Sequence, residues 1–180
     1  GYTALVWASE NGHSECVDLL LKHGAEIEAK TRWTTLMRAS FNGHSKCVDL
    51  LLKHGADIEA KDKKGYTALI WASAHNKIVC VDLLLKYGAD IETKNKYAET
   101  ALIWASLNSH SKCVDLLLKH GADIEAKDNK GYTALIWASV HNTIDCVDLL
   151  LNHGADTETI DDEGKSALDY ARDKEKTEIV

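Results

Sequence analysis

The phrase Gly-Tyr-Thr-Ala-Leu opens the chain at Gly1 and returns unchanged at Gly65 and Gly131, with altered copies starting at Arg32, Ala98 and Gly164. The matching hydroxyl positions (Thr3, Thr34, Thr67, Thr100, Thr133 and Ser166) are spaced by 31, 33, 33, 33 and 33 residues. A fixed period of this size dictates a stack of supersecondary units, each touching only its neighbours, rather than a globule around one closed core. Residues that recur in every unit build the stack. Function is therefore sought where the units differ.

The unit from Gly65 to Lys96 shows the local logic. Thr67 is a good N-cap for a short first helix, and Leu69 and Ala72 fall on one face of it. A second helix follows His75-Asn76 and carries Cys80, Val81, Leu83, Leu84 and Leu85. Gly88 is placed to take the left-handed conformation that ends it. Asp82 and Lys86 form a favourable i,i+4 pair. The pair recurs as Asp18–Lys22, Asp49–Lys53 and Asp115–Lys119, and is lost at Asp148–Asn152. A polar, extended loop beginning Ala89-Asp90-Ile91-Glu92 leads onward. Neither helix can bury its apolar face alone, so the units must stack.

Gly-x-Thr-Ala-Leu-Ile-Trp-Ala-Ser, then Asn-Gly-His, then Val-Asp-Leu-Leu-Leu-Lys-His-Gly-Ala-Asp-Ile resembles the ankyrin repeat. The likeness covers essentially all 180 residues, as five full repeats and a partial sixth (1–31, 32–64, 65–97, 98–130, 131–163 and 164–180). It implies a single all-α domain over 1–180, an ankyrin-repeat solenoid of stacked helix-turn-helix units with β-hairpin fingers. It also implies a concave face made by the first helices and the fingers. The chain starts in mid-unit and reads as a fragment of a longer one. Its final Thr-Glu-Ile-Val falls where a sixth second helix should begin.

The chain departs from the family pattern at several points. The family's Pro-Leu-His is replaced by Ala-Leu-Val/Ile in most units, so Val6, Met37, Ile70, Ile103 and Ile136 substitute apolar contacts for a polar network. Some members are hydroxylated on asparagine in the loop after the second helix. The matching positions here are Glu28, Glu59, Glu92, Glu125 and Glu158, so that modification is not expected.

Chemistry finds little to stand on. The net charge of −7 argues against a nucleic-acid or anionic-membrane binder, and no apolar run approaches the ~20 residues that span a bilayer. Cys16, Cys47, Cys80, Cys113 and Cys146 share one position per unit. Stacked helices lie ~8–10 Å apart and a disulfide needs Cα atoms within ~7 Å, so they read as five separate buried thiols of a reducing compartment. His-x-x-Cys occurs at His13/Cys16, His44/Cys47 and His110/Cys113. Each unit offers at most two ligands, and neighbours one helix away cannot share a zinc with ~2 Å bonds. The same distance disposes of His23, His54, His120 and His153. No catalytic set, metal or cofactor is expected, and the chain reads as no enzyme.

Binding is the remaining reading. Trp7, Trp71, Trp104 and Trp137 share one position and are read as a packed seam between units. The second unit breaks the pattern: Arg38 replaces the tryptophan, Trp33 stands where Tyr2, Tyr66 and Tyr132 recur, and the only phenylalanine, Phe41, lies here. Its finger, Ala29 to Trp33, is two residues shorter than its counterparts. Trp, Tyr and Arg are enriched at binding hot spots, so Trp33, Arg38 and Phe41 are candidate contacts. The alternative is local repair, with Arg38 stacked on Trp7 or Trp71.

Lys30, Arg32, Lys61, Lys63, Lys64, Lys94, Lys96, Lys127 and Lys130 make the fingers basic, while the last finger is acidic at Asp161, Asp162 and Glu163. A basic edge can steer an acidic partner. The candidate partner-binding set is Tyr2, Trp33, Arg38, Phe41, Lys63, Lys64, Tyr66, His75, Tyr97, Leu107, Lys130, Tyr132 and His141. The expected function is non-catalytic recognition of another protein on the concave face and fingers, in the cytoplasm or nucleus. The rivals are a structural spacer in a longer array, a site for a small anionic ligand or nucleotide, and self-association through uncapped terminal repeats.

Overall fold

In the computed structural model, which describes residues 2–28 and 32–173, the period becomes paired helices. Two compact units divide the chain, Gly1–Asp90 and Ile91–Val180. The first carries three pairs: α1 (Ala4–Glu10) with α2 (Ser14–Lys22), α3 (Thr35–Asn42) with α4 (Ser45–Lys53), and α5 (Ala68–Ala74) with α6 (Ile78–Lys86). The second carries α7 (Ala101–Leu107) with α8 (Ser111–Lys119), α9 (Ala134–Val140) with α10 (Ile144–Asn152), and α11 (Ala167–Asp173). The first helices α1, α3 and α5 lie side by side in one unit, as α7, α9 and α11 do in the other, and each full pair packs internally.

Local chemistry sets these elements. Thr3, Thr34, Thr67, Thr100 and Thr133 stand in extended backbone, and each hydroxyl accepts from the N–H three residues on at 3.1–3.3 Å. Ser166 starts α11 differently, by a reciprocal capping box in which its N–H donates to Asp169 Oδ2 and Asp169 N–H donates back to Ser166 Oγ. The four Asp–Lys pairs close at 2.6–2.7 Å on the exposed faces of the second helices. Gly88 takes the predicted left-handed turn, with φ of 88°.

The first helices α3, α5, α7 and α9 are buried nearly all round, whereas α1 and α11 are more open. In α5 only Trp71 is partly open to solvent. Second helices bury one stripe, such as Cys80, Val81 and Leu84 in α6, and leave the rest wet. The apolar replacements Met37, Ile70, Ile103 and Ile136 are all fully buried, which accounts for the loss of the family's histidine.

The cysteine expectation needs one correction. Cys47, Cys80, Cys113 and Cys146 are buried, but Cys16 is exposed. This thiol and Leu19 (58 % exposed) lie three apart on the face of α2 away from α4, whereas the same face of α4 is covered by α2. Burial pushes the Cys80 and Cys113 thiols up to about 11 and raises Cys47 and Cys146 as well. A thiol reagent at mildly alkaline pH should therefore modify Cys16 in the folded chain and spare the others until denaturant is added. Uniform labelling of all the thiols would contradict this packing.

The fingers are hairpin turns without a strand ladder: among the described residues the one β-bridge pairs Ile160 with Ser166. An Asx side chain organises each of the later turns, Asn95 among them, whose Oδ1 accepts from the N–H groups of Tyr97 and Glu99. Asp62 Oδ1 accepts from the N–H groups of Lys64 and Tyr66, Asp128 Oδ1 from Lys130 and Tyr132, and Asp161 Oδ1 from Glu163 and Lys165. Gly131 takes a left-handed φ of 78°, and a Cβ there would meet the Asp162 backbone nitrogen at 2.9 Å. At the equivalent position Ala98 adopts φ of 59°, a conformation costly for a residue with a Cβ.

Successive loops are also tied together. Glu28 Oε1 accepts from Asp57 N–H, Glu59 from Asp90, Glu92 from Asp123 and Glu125 from Asp156, at 2.8–3.1 Å. The glutamates at the family's hydroxylation position therefore staple one loop to the next.

Candidate recognition surface

The second unit's departures converge in space. The Trp33 ring lies 4.5 Å from Trp71 and 5.1 Å from Phe41, and Phe41 lies 5.8 Å from Trp71 and 4.1 Å from His75. Tyr66 stacks on Trp71 at 4.8 Å. The Trp71 carbonyl lies 3.0 Å from His75 Nδ1, which fixes that ring. Tyr66 is buried beneath the group, while Trp33, Phe41, Trp71 and His75 are half-buried. The result is a rigid aromatic patch with one open side.

Arg38 does not join that open side. Its side chain is only 10 % exposed, with Nη1 3.2 Å from Glu10 Oε1. The guanidinium carbon sits 4.4 Å from the Tyr2 ring centroid and 5.8 Å from that of Trp33, so its stacking partners are these rings rather than Trp7 or Trp71. Arg38 and Tyr66, both candidate contacts, are buried. Tyr2 is half exposed.

The tryptophan seam is uneven. Trp71 packs against Trp33 and Phe41, which precede it by one unit, whereas Trp7 is 56 % exposed and meets only the Tyr2 ring, at 4.8 Å, among the described aromatic contacts. Trp104 Nε1 donates to Glu99 and Trp137 Nε1 to Asp128, both at 3.0 Å. Trp71 Nε1 is buried without an acceptor, its ring held by the aromatic patch instead.

In Ile91–Val180 the candidates are more scattered. Tyr132 and His141 both lie against Trp137, at 5.0 and 5.6 Å. The Tyr132 and Tyr170 hydroxyls are 2.6 Å apart, and Tyr170 donates on to the buried Asp161 Oδ2 at 2.6 Å. Burial, then the hydrogen bonds to Asp161 and Tyr132, push the Tyr170 phenol far up. Burial would also raise Asp161, but hydrogen bonds from Tyr170 and the Lys165 and Glu163 backbones hold its carboxyl below the ordinary range. Tyr97, Leu107 and Lys130 are not part of this group. Tyr97 is 47 % exposed, Leu107 half-buried and Lys130 exposed.

Part of the basic finger row is used within the fold. Lys94 Nζ donates to the Lys127 carbonyl at 3.2 Å, and Lys127 Nζ to the Ile160 carbonyl at 2.9 Å. Lys63, Lys64 and Lys130 project into solvent. Lys30 of that row, the Ala29-Lys30-Thr31 part of the short finger and the terminal Thr-Glu-Ile-Val lie outside the described residues. Sequence reasoning missed Glu10 and Tyr170 as partners of the candidate residues, and named Trp71 only as a partner for Arg38. One signal for the patch was legible: Phe41 stands where other units carry Ala74, Leu107 and Val140.

Residues 1–62 and 59–128 match a family model described as ankyrin repeats (3 copies), and residues 117–171 match one described as ankyrin repeats (many copies). The chain belongs to the ankyrin-repeat family. Comparison with curated proteins gives no match. Ankyrin repeats serve generally in protein interaction, and the family is generally non-catalytic. Among the described residues no group of three His, Cys, Asp or Glu side chains could hold a metal ion, and no helix is long and apolar enough to cross a membrane.

Proposed function

We propose that this ankyrin-repeat chain is a non-catalytic recognition module for another protein, anchored on the open side of the Trp33–Phe41–Trp71–His75 patch. The observation that carries this reading is the convergence of these rings at a half-buried surface. Large aromatics held rigid by their neighbours lose little entropy on binding, and such residues dominate interface energetics. Lys63 and Lys64, exposed on the following finger, add a positive field that favours an acidic partner. Tyr132 and His141 around Trp137 make a smaller surface of the same kind. The free thiols suit a reducing compartment, cytoplasmic or nuclear.

Affinity capture from cell lysate tests this reading. The unaltered chain is compared with Phe41→Ala and with Val79→Ala, an exposed apolar residue on α6. A partner retained by Val79→Ala and lost by Phe41→Ala is the expected result. Equal capture by all three would remove the patch from the account.

A further inference from the structure

Beside the aromatic patch lies a hollow of about 260 Å³ lined by Arg32, Trp33 and Arg38. Its chemistry is unlike the rest of an acidic chain of net charge −7. Two guanidinium groups border it, against one nearby carboxylate, Glu10. Arg38 spends a single Nη1 donor on Glu10 Oε1, at 3.2 Å. Its Nε is buried without an acceptor, and Glu10 Oε2 is buried without a donor. A guanidinium buried to this extent normally has most of its N–H groups paired, because buried donors left open cost free energy. Arg38 therefore sits half-satisfied, its guanidinium carbon 4.4 Å from the Tyr2 ring centroid and 5.8 Å from that of Trp33. A guanidinium held beside aromatic rings presents a planar fork whose geometry matches a carboxylate. Arg32 is exposed and supplies a second cation at the rim.

We propose that this hollow takes the carboxylate of an aspartate or glutamate from the bound protein. The acid sits between Arg32 and Arg38, and a large apolar neighbour lies on Trp33 and Phe41. The inference rests on the protein-recognition reading and specifies the kind of peptide recognised: an acidic residue next to an aromatic or large aliphatic one. Glu10 acts as an internal competitor, holding Arg38 in the free state and sharing it in the bound state.

The test is selection of binders from a phage-displayed library of random linear peptides on the 180-residue chain. Selected peptides are then synthesised and titrated against the chain and its variants. Enrichment of an acid beside a large apolar residue is expected. Exchanging that acid for its amide, or Arg32→Ala in the protein, should weaken binding about tenfold or more, as loss of a charge-assisted hydrogen bond does. Glu10→Gln should instead tighten it, which a purely structural role for Glu10 would not produce. Arg32 is used because it is exposed, so its removal leaves folding intact where loss of Arg38 could perturb it. Peptides that depend on Phe41 but carry no acid, or that tolerate the amide, would overturn the carboxylate site and leave the recognition patch standing. Peptides indifferent to both Phe41→Ala and Arg32→Ala, or no enrichment at all, would overturn both.

Discussion

Leu117→Ala should lower the unfolding free energy by about 3–4 kcal/mol, in the middle of the range for a buried leucine. Leu117 is the middle residue of Leu116-Leu117-Leu118 in α8 and has no solvent exposure, while its neighbours are half-buried. A helix turns roughly 100° per residue, so only one of three consecutive leucines can point squarely into the stack. Leu51, Leu84 and Leu150 hold the same place in α4, α6 and α10, each with no exposed surface. Urea denaturation followed by circular dichroism reads the effect. Leu118→Ala should cost well under half as much. Equal losses at all three leucines would show that the register of the second helices is wrong.

Glu10→Ala should cost about 2 kcal/mol, a large effect for a residue on the outer turn of a seven-residue helix. It leaves the Arg38 charge without its anion at a side chain only 10 % exposed. The figure is set below the usual cost of breaking a fully buried pair because the Glu10 side chain keeps 29 % exposure and the Tyr2 and Trp33 faces still attract the guanidinium. Combining Glu10→Ala with Arg38→Met removes both charges and should recover most of the loss, because the penalty lies in the stranded charge rather than in the pair. Additive losses in the double variant would contradict that. The same half-satisfied arginine would be completed by an incoming carboxylate, which links this stability effect to recognition.

The legible parts of the fold were the local ones. Threonine caps, Asp–Lys pairs and the glycine at Gly88 each depend on residues within four positions, and the sequence displays them side by side. Contacts reaching one unit away were harder. Cys16 shares its sequence setting with four buried cysteines, yet it alone of the five is exposed. The loop glutamates looked like a missing modification site, yet Glu28, Glu59, Glu92 and Glu125 each meet an aspartate N–H 29 or 31 residues on. Arg38 was recognisable as an exception, but its direction was set by Glu10 and Tyr2, 28 and 36 positions earlier. The candidate site was half visible for the same reason. Trp33 and Phe41 stood out by type, while their convergence on Trp71 and His75 required the stacking of α3 on α5.

The central claim is that the second unit departs from its neighbours to recognise a partner, and not to repair a shortened finger. The most direct test restores the common pattern there, as Trp33→Tyr, Arg38→Trp and Phe41→Ala together. Unfolding free energy and affinity for the captured partner are then measured on the same preparation. The recognition account predicts an affinity at least about tenfold weaker, measured on the folded fraction of the variant, so that any loss of stability does not enter the comparison. Unchanged affinity with a loss of several kcal/mol in stability would contradict it and make the second unit's residues structural.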